Sequence, residues 1–215
     1  MTSRGVLFDF DGTLADSAGD LAAAVNRMRT KRGLEPLTDE AVRPYVSMGA
    51  RGCLRIGFGM TPEDRNYTGM REEFLDYYAE AICVHTRLFS GMPQLIEELV
   101  RRSIAWGIVT NKAMRFTERL VPALGLQPAC VVGGDSTPHL KPHPAPLLLA
   151  AQKLRIPAKE CMYVGDDLRD IQAGRAAGMR CVAVNYGYHG TDNPGPPAWN
   201  ADAVISHPSE LLEHL

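Results

Sequence analysis

From residue 91 onward, short apolar runs alternate with amphipathic segments, and this alternation constrains the fold more than any other feature of the chain. The apolar runs have the length of buried strands and cover residues 104–109, 130–132, 161–164, 181–184 and 203–205. Helical patterns occupy residues 91–100, 116–124, 144–154 and 167–177. This order predicts an α/β fold, in which helices cover both faces of a parallel sheet. An earlier run, Val6 to Phe8, belongs to the same sheet.

The segment from residue 16 to residue 90 has a different character, because it contains no clear strand run. Apolar side chains recur there at helical spacing, as in Phe74, Tyr78 and Ile82. The pattern predicts a helical insert between the first strand and the rest of the sheet. The predicted domains are a Rossmann-like core of residues 1–15 and 91–215 and an inserted all-helical cap domain of residues 16–90.

The composition excludes several classes of protein. Hydrophobic residues make up 45% of the chain, which is enough for a packed core. The net charge is −2, so we expect no nucleic-acid partner. No run approaches the ~20 apolar residues of a membrane span, and the first ten residues do not resemble a signal peptide. Five cysteines without a C-x-x-C pair favour a reduced, cytoplasmic protein. We expect a monomer or a dimer.

Two carboxylates follow the first strand. Asp9 and Asp11 lie on the same side of an extended segment, and Gly12 permits a sharp turn after them. Carboxylates held so close repel each other unless a cation or a shared proton separates them. Mg²⁺ suits such a site, since it takes oxygen ligands and keeps water for a phosphate. The alternative is that these residues only form the turn at the end of a strand.

Polar side chains also follow the later strands, at the edge where ligands of open parallel sheets bind. They are Thr110 and Asn111, Asp135 with Lys141 six residues later, and Asp166, Asp167 and Asp170. Carboxylates, a hydroxyl and a lysine at one edge suit phosphoryl transfer. Each also has a simpler interpretation: Thr110 with Asn111 as a helix cap, Lys141 as a solvated lysine, and Asp167 as a helix start.

The motifs DFDGT, VTNK, the lysine of KPHP and GDDLRD follow one another in this order. In this the chain resembles the phosphatases of the haloacid dehalogenase superfamily, whose helical cap matches the predicted insert. The resemblance implies a nucleophilic Asp9 that becomes an aspartyl-phosphate. It also implies that Asp11 protonates the leaving alcohol and then activates water.

The same resemblance implies roles for the residues that follow the other strands. Thr110, Asn111 and Lys141 would bind the phosphate. Mg²⁺ would be held by Asp9, the backbone carbonyl of Asp11 and Asp166, with Asp170 behind these ligands.

Within the superfamily, the chain resembles the phosphoglycolate phosphatase group. More closely, HTRLFSGMP, WGIVTNK, GDDLRDI and the tail NYGYHGTDNPGPPAWNADAVISHP are similar to the N-acetylmuramate 6-phosphate phosphatases. Both groups act on small phosphate esters that carry a carboxylate. Arg51, in a turn flanked by glycines, is our candidate for binding that carboxylate, unless it is simply a solvated arginine. We place the hinges of the cap at residues 16–17 and 89–91.

Two other functions use similar residues. A phosphorelay receiver domain, which is a signalling module, also combines an acceptor aspartate, a threonine and a lysine on a parallel sheet. Its acceptor follows an acidic pair, however, and it has no place for the insert. A sugar phosphomutase of the same fold remains the second alternative.

Overall fold

A computed structural model describes residues 4–190 and 194–215 of the 215-residue chain. Residues 1–3 and 191–193 of the predicted core lie outside the described residues. The strands are β1 (Gly5–Phe8), β2 (Ala15–Asp16), β3 (Arg87–Leu88), β4 (Ala105–Val109), β5 (Cys130–Val132), β6 (Cys161–Gly165), β7 (Arg180–Val184) and β8 (Ala203–Ile205). The α-helices are α1 (Ala18–Lys31), α2 (Asp39–Val42), α3 (Ala50–Phe58), α4 (Tyr67–Glu80), α5 (Met92–Arg101), α6 (Met114–Ala123), α7 (Ala145–Leu154) and α8 (Leu168–Ala176).

Six strands form one parallel sheet in the order β5-β4-β1-β6-β7-β8. Strand β1 lies in the middle, with Val6 opposite Trp106 of β4 and Met162 of β6. The carboxyl ends of β1, β4 and β6 are therefore neighbours. The parallel sheet predicted from the alternating pattern is confirmed.

Both faces of the sheet are buried, as the continuous apolar runs require. Phe8 of β1 packs in one cluster with helices α5 and α6, whereas Leu7 packs on the opposite face with α7 and α8. Neither Leu7 nor Phe8 is exposed to solvent. Each buried side chain of this size contributes roughly 1.5–3 kcal/mol, so β1 is held firmly in place.

Helices α1 to α4 and the 3-10 helix Arg43–Met48 form a separate hydrophobic cluster, which we call the helical unit (residues 18–80). Leu54 and Phe74 are fully buried within it. Phe116 of α6 and Tyr188 join this cluster from the core. The unit occupies most of the predicted insert, and its action as a cap remains a prediction.

Strands β2 and β3 are a feature that the sequence pattern did not predict. Each is two residues long, and they pair antiparallel, with Ala15 opposite Leu88. Alternation of apolar residues cannot be recognised over two residues, which explains the omission. The pair brings together the two places where the chain passes between core and helical unit. One predicted hinge includes Asp16 of β2, and the other begins directly after β3.

Two further findings concern the whole described chain. All five cysteines are free, and four of them are buried. No helix in residues 4–190 and 194–215 is both long and apolar enough to span a membrane.

Candidate active site

The carboxyl ends of three neighbouring strands meet at one cavity between the sheet and the helical unit. Asp9 follows β1, Thr110 follows β4 and Asp166 follows β6. All three line the cavity, whose volume is about 320 Å³. We call the sheet side of the cavity the floor and the helical-unit side the wall.

Lys141 joins two carboxylates at the floor. Its Nζ lies 2.9 Å from Oδ1 of Asp9 and 2.7 Å from Oδ1 of Asp170. It also donates a hydrogen bond of 2.8 Å to the Tyr163 hydroxyl. Burial alone would lower the pKa of Lys141, but the charges of Asp170 and Asp9 outweigh burial and raise it. Lys141 is therefore a buried cation and not the solvated loop lysine of the alternative interpretation.

Asp9, Asp166 and Asp170 form an acidic cluster. Each offers a carboxylate oxygen, and these oxygens lie within 4.8 Å of one another. Burial, together with the charges of Asp9 and Asp170, raises the pKa of Asp166 well above its ordinary value. Burial also raises the pKa of Asp170 to about 6, although Lys141 opposes this rise. Three oxygen donors this close, with one lysine to neutralise them, fit a hard divalent cation.

Asp166 is held by two hydrogen bonds and by close backbone packing. It accepts from the Thr13 hydroxyl at 3.1 Å and from the Tyr188 amide at 2.8 Å. Gly12 has a φ of +84°, and a Cβ there would lie 2.1 Å from Oδ2 of Asp166. Only glycine fits this turn, because the backbone both takes a left-handed conformation and approaches the carboxylate closely.

Asp11 lies in a different environment from Asp9. Lys112 Nζ lies 2.9 Å and 3.0 Å from its two carboxylate oxygens, and the Ser17 hydroxyl donates to Oδ1. Although burial opposes it, the charge of Asp11 raises the pKa of Lys112. Ser17 precedes helix α1 as its N-cap residue, but its side chain makes no cap hydrogen bond.

Lys112 was missed as a site residue by the sequence reasoning. The only signal was its place in the VTNK motif, directly after Thr110 and Asn111.

Thr110 and Asn111 differ in how they reach the cavity. Thr110 is buried at the floor, and its hydroxyl accepts from the Lys112 amide at 3.2 Å. The Asn111 side chain exchanges hydrogen bonds of 3.0 Å and 2.9 Å with the backbone of Lys141. Asn111 thus anchors the loop that carries Lys141, and its contact with a phosphate remains a prediction.

Asp167 and Asp135 have structural roles. Asp167 caps helix α8, where its side chain accepts from the Arg169 amide at 2.9 Å. Arg169 in turn pairs with Asp167 and donates a 2.7 Å hydrogen bond to the Ser47 carbonyl of the helical unit. Asp135 accepts from the Met114 amide at 2.8 Å, at the start of α6, and does not line the cavity.

Arg51 lies at the wall and its side chain is exposed, but it is in the first turn of helix α3 and not in a turn between glycines, because Gly49 only precedes the helix as its N-cap. Arg71 of α4 and Arg115 of α6 line the same cavity and are exposed as well. The sequence reasoning named only Arg51, because the periodicity of α4 and α6 does not show which polar residues face a cavity. Arg51 and Arg71 give the wall a positive charge, and Arg115 adds to it from α6 of the core, whereas the floor is rich in carboxylates.

Known proteins resemble this chain over nearly its whole length. The sequence model of the haloacid dehalogenase-like hydrolases matches residues 6–184. An N-acetylmuramic acid 6-phosphate phosphatase of Pseudomonas putida is 43% identical over 214 residues, which cover 98% of this chain and 95% of the relative. A phosphoglycolate phosphatase of Xanthomonas campestris pv. campestris is 42% identical over 212 residues, with 98% and 95% covered.

Solved structures agree with these similarities. A Haemophilus somnus protein, described as a predicted phosphoglycolate phosphatase, superposes with a TM-score of 0.86 at 26% identity, over 100% of this chain and 98% of that one. The resemblance drawn from the four motifs is thereby confirmed. The similarity to phosphatases leaves the receiver alternative without support.

Proposed function

The chain belongs to the haloacid dehalogenase-like hydrolase family and is a phosphatase, and we propose that it hydrolyses small, carboxylate-bearing phosphate esters through a phosphorylated Asp9. The observation that carries this proposal is the position of Asp9. It lies at the end of the central strand, 2.9 Å from Lys141 and within the acidic cluster. The candidate substrates are 2-phosphoglycolate and N-acetylmuramate 6-phosphate, since relatives are named for both.

The first step transfers the phosphoryl group to the protein. The Asp9 carboxylate receives one contact from Lys141 Nζ and one hydrogen bond from the Phe10 amide. Both fall on Oδ1. Oδ2 is then the oxygen that attacks phosphorus as the bond to the ester oxygen breaks. Asp11 gives its proton to the departing alcohol, while Lys141 and Thr110 bind the phosphate oxygens.

The second step releases phosphate. Asp11, now a carboxylate, takes a proton from water as the water oxygen bonds to phosphorus. The bond between phosphorus and Asp9 breaks, which restores both aspartates. Lys112 and Ser17 keep the Asp11 side chain oriented through both steps, because the Lys112 ammonium and the Ser17 hydroxyl both bond to it.

The acidic cluster fits Mg²⁺, which would be held by the carboxylates of Asp9 and Asp166 and by the backbone carbonyl of Asp11. Asp170 would lie behind these ligands. Bound there, the ion supplies positive charge to the phosphate oxygens. Asp170 Oδ1 also lies 2.7 Å from Lys141 Nζ, so this carboxylate positions the lysine that binds the phosphate. A cytoplasmic location and a monomeric or dimeric state remain predictions from the sequence.

The test is a phosphate-release assay with Mg²⁺ on 2-phosphoglycolate, N-acetylmuramate 6-phosphate, glucose 6-phosphate and p-nitrophenyl phosphate. We expect release from at least one carboxylate-bearing ester. Asp9→Asn should lower kcat by roughly a thousandfold or more, because the amide is not a nucleophile. Asp135→Asn is the matched control, since Asp135 also follows a strand but lies outside the cavity.

Several outcomes contradict the proposal. Retention of more than about a tenth of the wild-type rate by Asp9→Asn excludes the covalent mechanism. Conversion of a sugar phosphate to its isomer without release of inorganic phosphate would instead favour the phosphomutase alternative.

A further inference from the structure

Ser17 is an N-cap serine whose hydroxyl has an unusual partner. It precedes helix α1, and an N-cap serine normally accepts hydrogen bonds from the first amides of its own helix. Here the Ser17 side chain makes no cap hydrogen bond and donates instead to Oδ1 of Asp11. Asp11 is the residue proposed to transfer the proton. The position of the Ser17 backbone therefore affects how the Asp11 carboxyl group is oriented.

The Tyr188 hydroxyl holds the backbone of Ser17. It accepts hydrogen bonds of 2.7 Å from the Ser17 amide and of 3.1 Å from the Ala18 amide. It also donates a hydrogen bond of 2.8 Å to Oδ1 of Asp16. A phenolic hydroxyl has one proton and two lone pairs, so these three bonds use its whole capacity. The shortest of the three is the bond from the Ser17 amide.

The backbone of Tyr188 is fixed by Asp166. The Tyr188 amide donates a hydrogen bond of 2.8 Å to Oδ2 of Asp166. The preceding Gly187 packs so closely on the same side chain that a Cβ at this glycine would lie 2.2 Å from Cβ of Asp166. The loop after β7 is thus anchored on a proposed metal ligand, and its tyrosine reaches from there to the start of α1.

The Tyr188 side chain is fixed as well. It is only 5% exposed and packs in the hydrophobic cluster of the helical unit. The guanidinium carbon of Arg43 lies 5.1 Å from the centre of its ring, and Arg43 also pairs with Asp16 at 2.7 Å. A side chain held in this way offers its hydroxyl to Ser17 at one place. Such support matters, because small displacements of a reacting group slow catalysis strongly.

We propose that Tyr188 is a positioning residue for the proton transfer: its hydroxyl fixes Ser17, and Ser17 fixes the carboxyl group of Asp11. This inference rests on the proposed function, in which Asp11 is the general acid and base. Tyr188 and Ser17 are not among the described residues that line the cavity, so they act without touching the substrate. A misplaced proton donor slows the chemical step and leaves the substrate contacts intact. The expected signature is a lower kcat with little change in KM.

The test is a double-mutant cycle of Tyr188→Phe, Ser17→Ala and the two changes together. It uses saturating Mg²⁺ and whichever of 2-phosphoglycolate and N-acetylmuramate 6-phosphate the wild type hydrolyses faster. Each single variant should lose roughly tenfold in kcat, with KM within about twofold of wild type. Because Tyr188 acts through Ser17, the double variant should be less than about twofold slower than Ser17→Ala.

The matched control is Tyr186→Phe. Tyr186 lies two positions earlier in the same loop, and its hydroxyl donates to the Thr13 carbonyl at 3.2 Å. This variant removes a hydroxyl from the loop without touching the Ser17 amide, so its kcat should stay within about twofold of wild type. Thermal unfolding of all variants sets an assay temperature at which each is folded, so that a lower kcat does not reflect unfolded protein.

Three outcomes overturn the inference and leave the phosphatase proposal standing. The first is a pair of losses that multiply, to roughly a hundredfold in the double variant, as two independent structural defects would. The second is a raised KM with an unchanged kcat in Tyr188→Phe. The third is an unchanged kcat in Ser17→Ala, which decides the matter even if Tyr188→Phe does not fold.

Failure of the proposed function itself is recognised separately. The wild type would then release no phosphate from any ester, or Asp9→Asn would keep more than about a tenth of the wild-type rate. With phosphate release and the loss in Asp9→Asn both observed, the double-mutant cycle tests the role of Tyr188 alone.

Discussion

On the floor of the cavity, buried charged side chains hold one another, whereas the wall combines exposed arginines with a buried hydroxyl that has no partner within the described chain. Lys141 contacts Asp9 and Asp170 at the floor, and Lys112 contacts Asp11. On the wall, the Ser47 Oγ makes no hydrogen bond with any described residue, and Arg51 and Arg71 are exposed.

This difference corresponds to two different tasks. Every phosphate ester presents the same phosphoryl group, so the floor gains from being preorganised before the substrate arrives. The leaving alcohol differs between esters, and we expect the wall to contact it. Floor substitutions should therefore affect all substrates alike, whereas wall substitutions should depend on the leaving group.

The largest effect that tests this comparison is expected for Asp11→Asn. A general acid and base contributes ~10²–10⁴-fold, and we expect a loss of this size in kcat on every ester tested. Mg²⁺ affinity should change little, because the expected metal contact is the backbone carbonyl of residue 11. Steady-state kinetics and a metal titration measure the two quantities. Loss of metal binding with intact turnover would show that the role assigned to Asp11 is wrong.

A smaller loss is expected for Lys112→Met. A hydrogen bond to a charged group is worth about 1.5–3 kcal/mol, which corresponds to a loss of about 10- to 150-fold in kcat. The loss should again be equal on all esters, since Lys112 acts on Asp11 and not on the alcohol. Lys112→Arg, which keeps the charge, should recover part of the activity. A loss confined to one ester would place Lys112 with the wall instead of the floor.

The most selective effect, no larger than that of Lys112→Met, is expected for Arg51→Ala. If Arg51 pairs with the carboxylate of the substrate, kcat/KM on that substrate should fall by the equivalent of about 1.5–3 kcal/mol. The value for p-nitrophenyl phosphate should stay near that of wild type. Arg65→Ala is the control, since Arg65 is an exposed arginine of the same unit that does not line the cavity. Equal losses on both esters, or none, would exclude Arg51 as the carboxylate-binding residue.

Local patterns predicted the parallel sheet well, because each strand is recognised from its own few residues. The runs 130–132 and 203–205 coincide with β5 and β8, and the others differ by one residue at an end. The strand β3 escaped notice because two residues carry no periodicity. In the same way, the sequence placed Asp9, Thr110 and Asp166 after strands whose carboxyl ends the structure brings together.

The pairing of side chains could not be predicted in this way. Lys112 meets Asp11 across 101 positions of the chain, and Arg169 meets the Ser47 carbonyl across 122. Ser17 has the sequence signal of a helix cap, yet its hydroxyl turns to Asp11.

The sequence by itself thus determined which strands form and which polar residues end them, because backbone periodicity and turn chemistry act over a few neighbouring residues. Only the tertiary structure decided which carboxylate pairs with which lysine, and that the Ser47 hydroxyl of the wall has no partner among the described residues. Those contacts depend on distances between elements far apart in the chain, and such distances are set by the packing of the helical unit against the sheet.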